Sequence, residues 1–443
     1  MANPFTPGQP IPGPPELSPD PFGGAAEVPF PPDLEAIAAA QAQFVPDLDA
    51  LAEMVRNVNL HMGGGPEPSP TPPSANDILD EAAQLAERTA DEIKEIFSTS
   101  TLWEFERALG NGSYGITMLM RNRSPLARRH RRVVLKRSIR DDEGLRDMVN
   151  EMDALWALRG HAHIAQIIDA IEDVMYLRPR AGRIAAVARR ILGLVENPPQ
   201  NMFKTLSFRR GPAIILEYLE NGSLAQLQCK ALARNIELPN RVMWSWFYCM
   251  MRACVGMTYV NKGYKRGPLE LETLQPDGEQ YFPLQHCDIA ARNLMIAEYE
   301  LKVPEHQLVP KLVTIDFGIS TWAVNPHYAQ LNNMYQISMA VIGMIVVNLQ
   351  LVATRVVNYN GIRTRAGVIL PDNGVDPFPR LDPDLRNLLV RTLHDIEGQR
   401  PDLPQLLEET RVGMMKGASA YPGNPHETDD YIKELLQGLL HDA

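Results

Sequence analysis

The ten residues Leu284-Gln285-His286-Cys287-Asp288-Ile289-Ala290-Ala291-Arg292-Asn293, with Asp316-Phe317-Gly318 a little further on, constrain this chain more than any other feature. Together they place two carboxylates and one carboxamide around a point where a metal-bound phosphate could sit. Asp288 has the position of a base for an incoming hydroxyl. Asn293 and Asp316 supply hard oxygen donors, the kind Mg2+ prefers alongside waters and substrate phosphates.

A second set of residues upstream has complementary chemistry. Trp103 to Leu109 reads as a strand running into Gly110-Asn111-Gly112-Ser113-Tyr114-Gly115. Glycines at such a turn let the backbone approach a phosphate and present N–H groups to it. The turn lies between two strands and is not followed by the helix that a dinucleotide site requires. The next strand, Val133-Val134-Leu135-Lys136, ends on a lysine that an extended hairpin returns beside the glycine turn. Met148, Leu155 and Leu158 then mark the inward face of a helix carrying Glu151, the first choice for the ion-pair partner of Lys136; Glu143 is the alternative. Pro212 to Leu219 reads as a buried strand that turns out through Glu220-Asn221-Gly222.

In this order the residues resemble the protein kinase family: glycine loop, strand lysine, helix glutamate, hinge, His-x-Asp-x-x-x-x-Asn, Asp-Phe-Gly and the late Arg400-Pro401. The resemblance spans roughly residues 100 to 415. It implies an α+β, bilobal protein kinase-like fold, with a small antiparallel β N-lobe, a helical C-lobe, and ATP with Mg2+ in the cleft. It assigns phosphate contacts to Gly110, Gly112, Gly115 and Lys136, with Glu151 holding the lysine. Leu216 would guard the back pocket. Glu217 and Leu219 would offer backbone groups to adenine. Asn293 and Asp316 would hold metal, and Asp288 would accept the proton of the acceptor hydroxyl. Arg292 would lie near the transferred phosphoryl group. The activity implied is transfer of the γ-phosphoryl group to a protein hydroxyl, of serine/threonine type.

The chain departs from the family in several places. Thr117 stands where a Val usually covers adenine, and Val134 where Ala is common, which narrows the adenine slot. Cys287 replaces the Arg that precedes the catalytic Asp, and Asn333 replaces an Asp at the expected start of a central helix. The segment Ile319 to Asn332 is short and no Ala-Pro-Glu follows it. These changes imply an enzyme not switched on by phosphorylation of its activation loop, since the anchor for such a phosphate is missing. They also leave two alternatives open: a small-molecule kinase on the same architecture, and a non-catalytic scaffold. Arg292 sits in an Ala-Ala-Arg form seen in tyrosine kinases, which by itself assigns no tyrosine specificity.

The organisation expected is a Pro-rich, partly disordered and partly helical extension over 1–98, an N-lobe over 99–220, a C-lobe over 221–415 and a helical tail over 416–443. In the extension, residues up to about 32 offer few apolar anchors and read as a disordered tail. A helix capped by Ser74 or Asn76 should place Ile78, Ala82, Leu85, Thr89, Ile93 and Phe97 on one face, packed on the adjoining domain or on a partner protein. Two insertions, 176–210 and Lys265 to Gln280, and the basic run Arg128 to Arg132 read as surface elaborations. The formal net charge of −11 excludes a general nucleic-acid binder. Ile337 to Ala353 is the most apolar run; Asn348 and Gln350 interrupt it, so it reads as a buried helix and not a membrane span. The four cysteines show no paired spacing for zinc or disulfides, and with no signal peptide at Met1 they suggest a cytoplasmic or nuclear setting. The acceptor, protein or small molecule, is not encoded in any of these features.

Overall fold

In the computed structural model the described residues are 75–111, 115–124, 131–138, 143–171, 212–260, 269–275, 282–323, 325–346 and 356–441. The Pro-rich tail, Ser74, Gly112, most of the basic run, the insertion at 176–210, much of the acidic insertion and the end of the apolar run lie outside them. The architecture is α+β, an antiparallel sheet joined to a larger helical body.

Helix α1 (Ala75–Ser98) leads into strands β1 (Trp103–Asn111), β2 (Gly115–Asn122) and β3 (Arg132–Ser138). Helix α2 (Glu143–Ala157) follows, then β4 (Ile167–Ile171) and β5 (Ala213–Glu217). The five strands form one sheet in the order β1-β2-β3-β5-β4, every neighbouring pair antiparallel. Alternation buries Met118, Met120, Val133 and Leu135 on one face. Helix α1 covers that face with Ala86, Ile93 and Phe97, so it shares a core with the sheet. The stripe is rotated from the one read in the sequence: Leu85 is exposed and Ala86 is buried. Asn76 lies within the helix and does not cap it. A period of 3.6 allows either neighbour to face inward, and the sheet selects the small alanine where backbones approach.

The helical body is organised around α4 (Asn240–Thr258), preceded by α3 (Leu224–Ala233). All of α4 except Arg241 and Arg252 is buried, as expected of a helix that is apolar around its whole circumference. Its indole groups are satisfied at a distance: Trp246 Nε1 donates to Pro310 O at 2.9 Å and Trp244 Nε1 to Asp382 Oδ2 at 2.8 Å. Pro239 at its N-cap has no side chain that can cap. The buried Glu427 carboxylate substitutes for one, accepting from the N–H groups of Asn240 at 2.8 Å and Arg241 at 3.1 Å.

Strands β6 (Leu284–Gln285), β7 (Leu294–Ile296), β8 (Leu312–Thr314) and β9 (Thr321–Trp322) lie along one side of this body, where β7 pairs with β8 and β6 with β9. The chain between Asn293 and Asp316 is therefore a long hairpin, the β7–β8 pair. Helix α5 (Pro326–Val346) follows. It starts earlier than expected, because the Asn325 side chain accepts the His327 N–H at 3.1 Å and Pro326 takes the first turn, so Asn333 sits inside the helix. Strands β10 (Val357–Tyr359) and β11 (Ile362–Thr364) form a small hairpin before helices α6 (Pro383–Thr392), α7 (Leu403–Met414) and α8 (Asp429–His441). Helix α8 packs back on the body through Ile432, Leu436 and Leu439. No helix among the described residues is long and apolar enough to cross a membrane.

Candidate active site

A cleft of about 690 Å³ lies between the sheet and the helical body. That is within the range of about 300–1,000 Å³ usual for small-molecule sites. Its sheet side carries Thr117, Val134 and Lys136, its connecting edge Leu216 to Leu219, and its floor Asn293, Ile315 and Asp316.

Lys136 is the centre of charge. Its Nζ lies 2.6 Å from Glu151 Oε2 and 2.8 Å from Asp316 Oδ1. Glu151 reaches it because α2 packs edge-on to β3 and β4, fixed by Met148, Met152 and Leu155 in the core. Glu143, the alternative partner, is at the other end of the same helix and its side chain is not described. Burial alone would lower the Lys136 pKa; the two carboxylates outweigh it and hold it above its ordinary value. Burial pushes Glu151 up to about 7, against the attraction of Lys136. Burial would also raise Asp316, but Lys136 outweighs it and holds that carboxyl below its usual range.

The catalytic-type loop is held by its backbone. Asn333 of α5 bonds it twice, accepting the His286 N–H at 3.0 Å and donating to Leu284 O at 2.9 Å. Gln336, one turn on, accepts the Ile289 N–H at 2.8 Å. An amide serves where the resemblance led us to expect a carboxylate, because it can accept and donate at once. The buried His286 ring completes the frame. Its Nδ1 accepts the Asp288 N–H at 3.2 Å, so Nε2 carries the proton and donates to Ile315 O at 3.0 Å. Burial lowers its pKa and keeps it neutral. These bonds hold Cys287 and Asp316 at φ of 68° and 65°, a left-handed conformation that ordinary residues adopt at a cost.

Within that frame Asp288 and Asn293 face each other. Asn293 Nδ2 donates to Asp288 Oδ2 at 2.8 Å and to Asp288 O at 3.0 Å. Both donors of the amide group therefore point to Asp288, which turns Oδ1, the atom suited to a hard cation, the other way. Arg292 closes on Asp288 Oδ1 from the 3-10 turn Ala291–Asn293.

The Glu217 N–H is already bonded to Gln166 O at 3.1 Å, and its side chain accepts the Gln166 N–H at 2.9 Å. The N–H is thus taken out of the set expected to meet a base, while Leu219 lines the cleft beyond the end of β5. Gly110 lines the cleft too, and a Cβ there would meet nothing within 4 Å. Gly115 is required for a different reason: a Cβ would lie 2.9 Å from Arg137 O, so this glycine lets β2 and β3 close.

Asn150 was not singled out in the sequence. From α2 its amide donates to Gly318 O at 2.8 Å and Ser320 O at 2.6 Å, fixing the chain just after Asp316. It lies one residue before Glu151, but a lone Asn in a helix gives no spacing signal. The β6–β9 pairing ties Thr321 and Trp322 to the strand just before His286.

No family model matches the chain, and no curated protein matches it in sequence.

Proposed function

We propose that this chain is an ATP-dependent phosphotransferase of the protein kinase type, with a bilobal arrangement in which the sheet and the helical body clamp the nucleotide. The observation that carries this reading is the convergence of Lys136, Glu151, Asp316 and Asn293 from distant parts of the chain on one cleft, with Asp288 hydrogen-bonded to Asn293 beside it. A purely structural ion pair would not need an acceptor-like carboxylate, an amide oxygen and a lysine around the same open volume.

The donor set fits magnesium: the Asn293 amide oxygen and the Asp316 carboxylate are the hard ligands that would hold it. When bound, the ion would supply positive charge that neutralises the nucleotide phosphates. The protein's own work is positioning. Lys136, held by Glu151, orients the phosphates, and Gly110 lines the same cleft. Asp288 orients the acceptor hydroxyl and takes its proton. Arg292 holds Asp288 until phosphate arrives and then has a second anion to pair with. The frame from Asn333, Gln336 and His286 fixes Asp288 without any phosphorylated residue, which favours an enzyme independent of loop phosphorylation.

The acceptor we favour is a protein hydroxyl. A small-molecule acceptor is supported by one observation: the chain passes from Gly318 to α5 at Pro326 with only the short β9 between, a small platform for a peptide. The experiment is transfer from labelled Mg-ATP to peptide arrays and, in parallel, to sugars and amino alcohols. Labelled peptide supports the first reading. Label only in a small molecule replaces it with the second, and tight Mg-ATP binding with no transfer or autophosphorylation leaves a scaffold.

A further inference from the structure

A second cluster of chemically able side chains lies away from the cleft, on the far side of α4. His163, Cys249 and His306 are buried to 0%, 2% and 1% exposure. One donor atom from each lies within 4.8 Å of the others. They come from separate elements: His163 from the turn between α2 and β4, Cys249 from the middle of α4, and His306 from the 3-10 turn Pro304–His306 inside the β7–β8 hairpin. The absence of zinc spacing among the cysteines was therefore no guide. Only one cysteine takes part, and its companions are histidines far away in sequence.

The hydrogen-bond account of the cluster does not close. His163 Nδ1 lies 2.7 Å from Glu272 Oε2, and the same carboxylate accepts the His163 N–H at 2.8 Å through Oε1. That puts a proton on Nδ1 and turns Nε2 toward the cluster. Nε2 of His163 and both ring nitrogens of His306 are buried, and the polar atom close to them is the Cys249 sulfur. Folded proteins rarely leave buried ring nitrogens with so few polar neighbours.

We propose that His163, Cys249 and His306 bind a structural Zn2+ ion. Thiolate and imidazole are both ligand types that zinc takes, and a carboxylate on the far nitrogen of a ligating histidine is the usual outer support. In a tetrahedral site the donors stand about 3.3–3.6 Å apart, so closing from the observed separation moves each by about 0.7 Å or less. One vertex is left beside these three donors; the neighbouring Glu305 is turned to Arg252 at 2.7 Å and is not part of the group. The ion ties the turn after α2 to the central helix and to the β7–β8 hairpin. It thereby braces the helix that carries Glu151 and Asn150. The proposal stands apart from the phosphotransfer reading, since none of its donors enters the cleft.

The test uses the full chain purified without chelator and without an affinity metal. Elemental analysis should find about one zinc per chain, because ligand deprotonation and folding are coupled to such binding. Exchange for Co2+ should give the visible bands of a tetrahedral site together with a thiolate-to-cobalt charge-transfer band. Cys249→Ser should abolish the charge-transfer band, and His306→Ala should lower the zinc content. Because either variant could fail to fold, the wild-type cobalt spectrum decides independently. Wild-type protein that carries no zinc and gives no tetrahedral cobalt spectrum overturns the proposal and leaves a metal-free thiol–imidazole cluster. Copper in place of zinc, with the intense blue of copper held by one thiolate and two imidazoles, overturns the assignment of the ion.

Discussion

Replacing Lys136 by Met separates what the lysine does for the fold from what it does for a ligand. Glu151 is 1% exposed, and its Oε1 already lacks a partner; without Lys136 its Oε2 loses one as well. Removing one member of a buried ion pair costs about 3–5 kcal/mol when the other charge is stranded. The stranded carboxyl can escape by taking a proton, and this gives a signature in pH. In the wild type Glu151 has a folded pKa of about 7, above the unfolded value of about 4.3. A carboxyl raised in this way removes stability as pH climbs from the unfolded to the folded value, and nothing further above it. In Lys136→Met the folded value can only be higher, because the nearest cation is gone. The variant should therefore keep losing stability above pH ~7, by about 1.4 kcal/mol per pH unit, where the wild type is flat with respect to this group. Glu151→Gln should show no such slope, and Lys136→Met/Glu151→Gln should recover at least about 2 kcal/mol over Lys136→Met alone, the coupling of a contacting pair. Urea unfolding of the four proteins at about pH 7 and about pH 9 measures all of this through the midpoint at constant slope. The double variant should regain stability without regaining Mg-ATP affinity. Parallel pH dependence in Lys136→Met and wild type, or strictly additive single and double variants, would refute the buried-pair account.

Other outcomes follow from the same packing and hydrogen bonds. Gly115→Ala should lose about 1–3 kcal/mol, because the added methyl drives into Arg137 O, while Gly110→Ala should be nearly neutral by thermal melting. Asn333→Ala leaves the His286 N–H and Leu284 O buried without their partner; we expect a loss of about 2–4 kcal/mol and a larger loss in turnover than in nucleotide binding. Asp382 accepts Trp244 Nε1 at 2.8 Å, Tyr421 Oη at 2.7 Å and Lys416 Nζ at 2.7 Å. Burial alone would raise its pKa, but these donors, Lys416 foremost, hold it below the usual range. Its contribution is therefore present above pH ~4 and lost as pH falls through the folded value, and Asp382→Asn should cost about 3–5 kcal/mol near neutrality, read by urea unfolding.

What was legible in the sequence was what spacing and polarity encode. The glycine-to-lysine hairpin, the helix bearing Glu151 and the loop from His286 to Asn293 each left a pattern in contiguous residues, and each forms the element read from it. Choices between neighbours were not legible. Ala86 replaces Leu85 in the buried stripe because it is the side of the helix bearing Ala86 that meets the sheet, a surface invisible in the helix's own sequence. Helix α5 starts at Pro326 and not Asn333, because the cap residue Asn325 sits among polar neighbours that mark a loop equally well. Glu217 turns to Gln166, a residue from another strand, so nothing local reports that its N–H is occupied. The His163, Cys249 and His306 cluster was least visible, since its members are single residues on elements that only tertiary packing brings together.

The account rests on Asp288, Asn293, Asp316 and Lys136 acting as one phosphoryl-transfer site. The most direct measurement is transfer of label from Mg-ATP by wild type and by Asp288→Asn, with nucleotide binding followed on the same samples. Asn at this position keeps the shape of the side chain and removes its basicity, so label transfer should fall by about 100-fold or more while Mg-ATP still binds. Equal transfer by the two proteins would contradict the account.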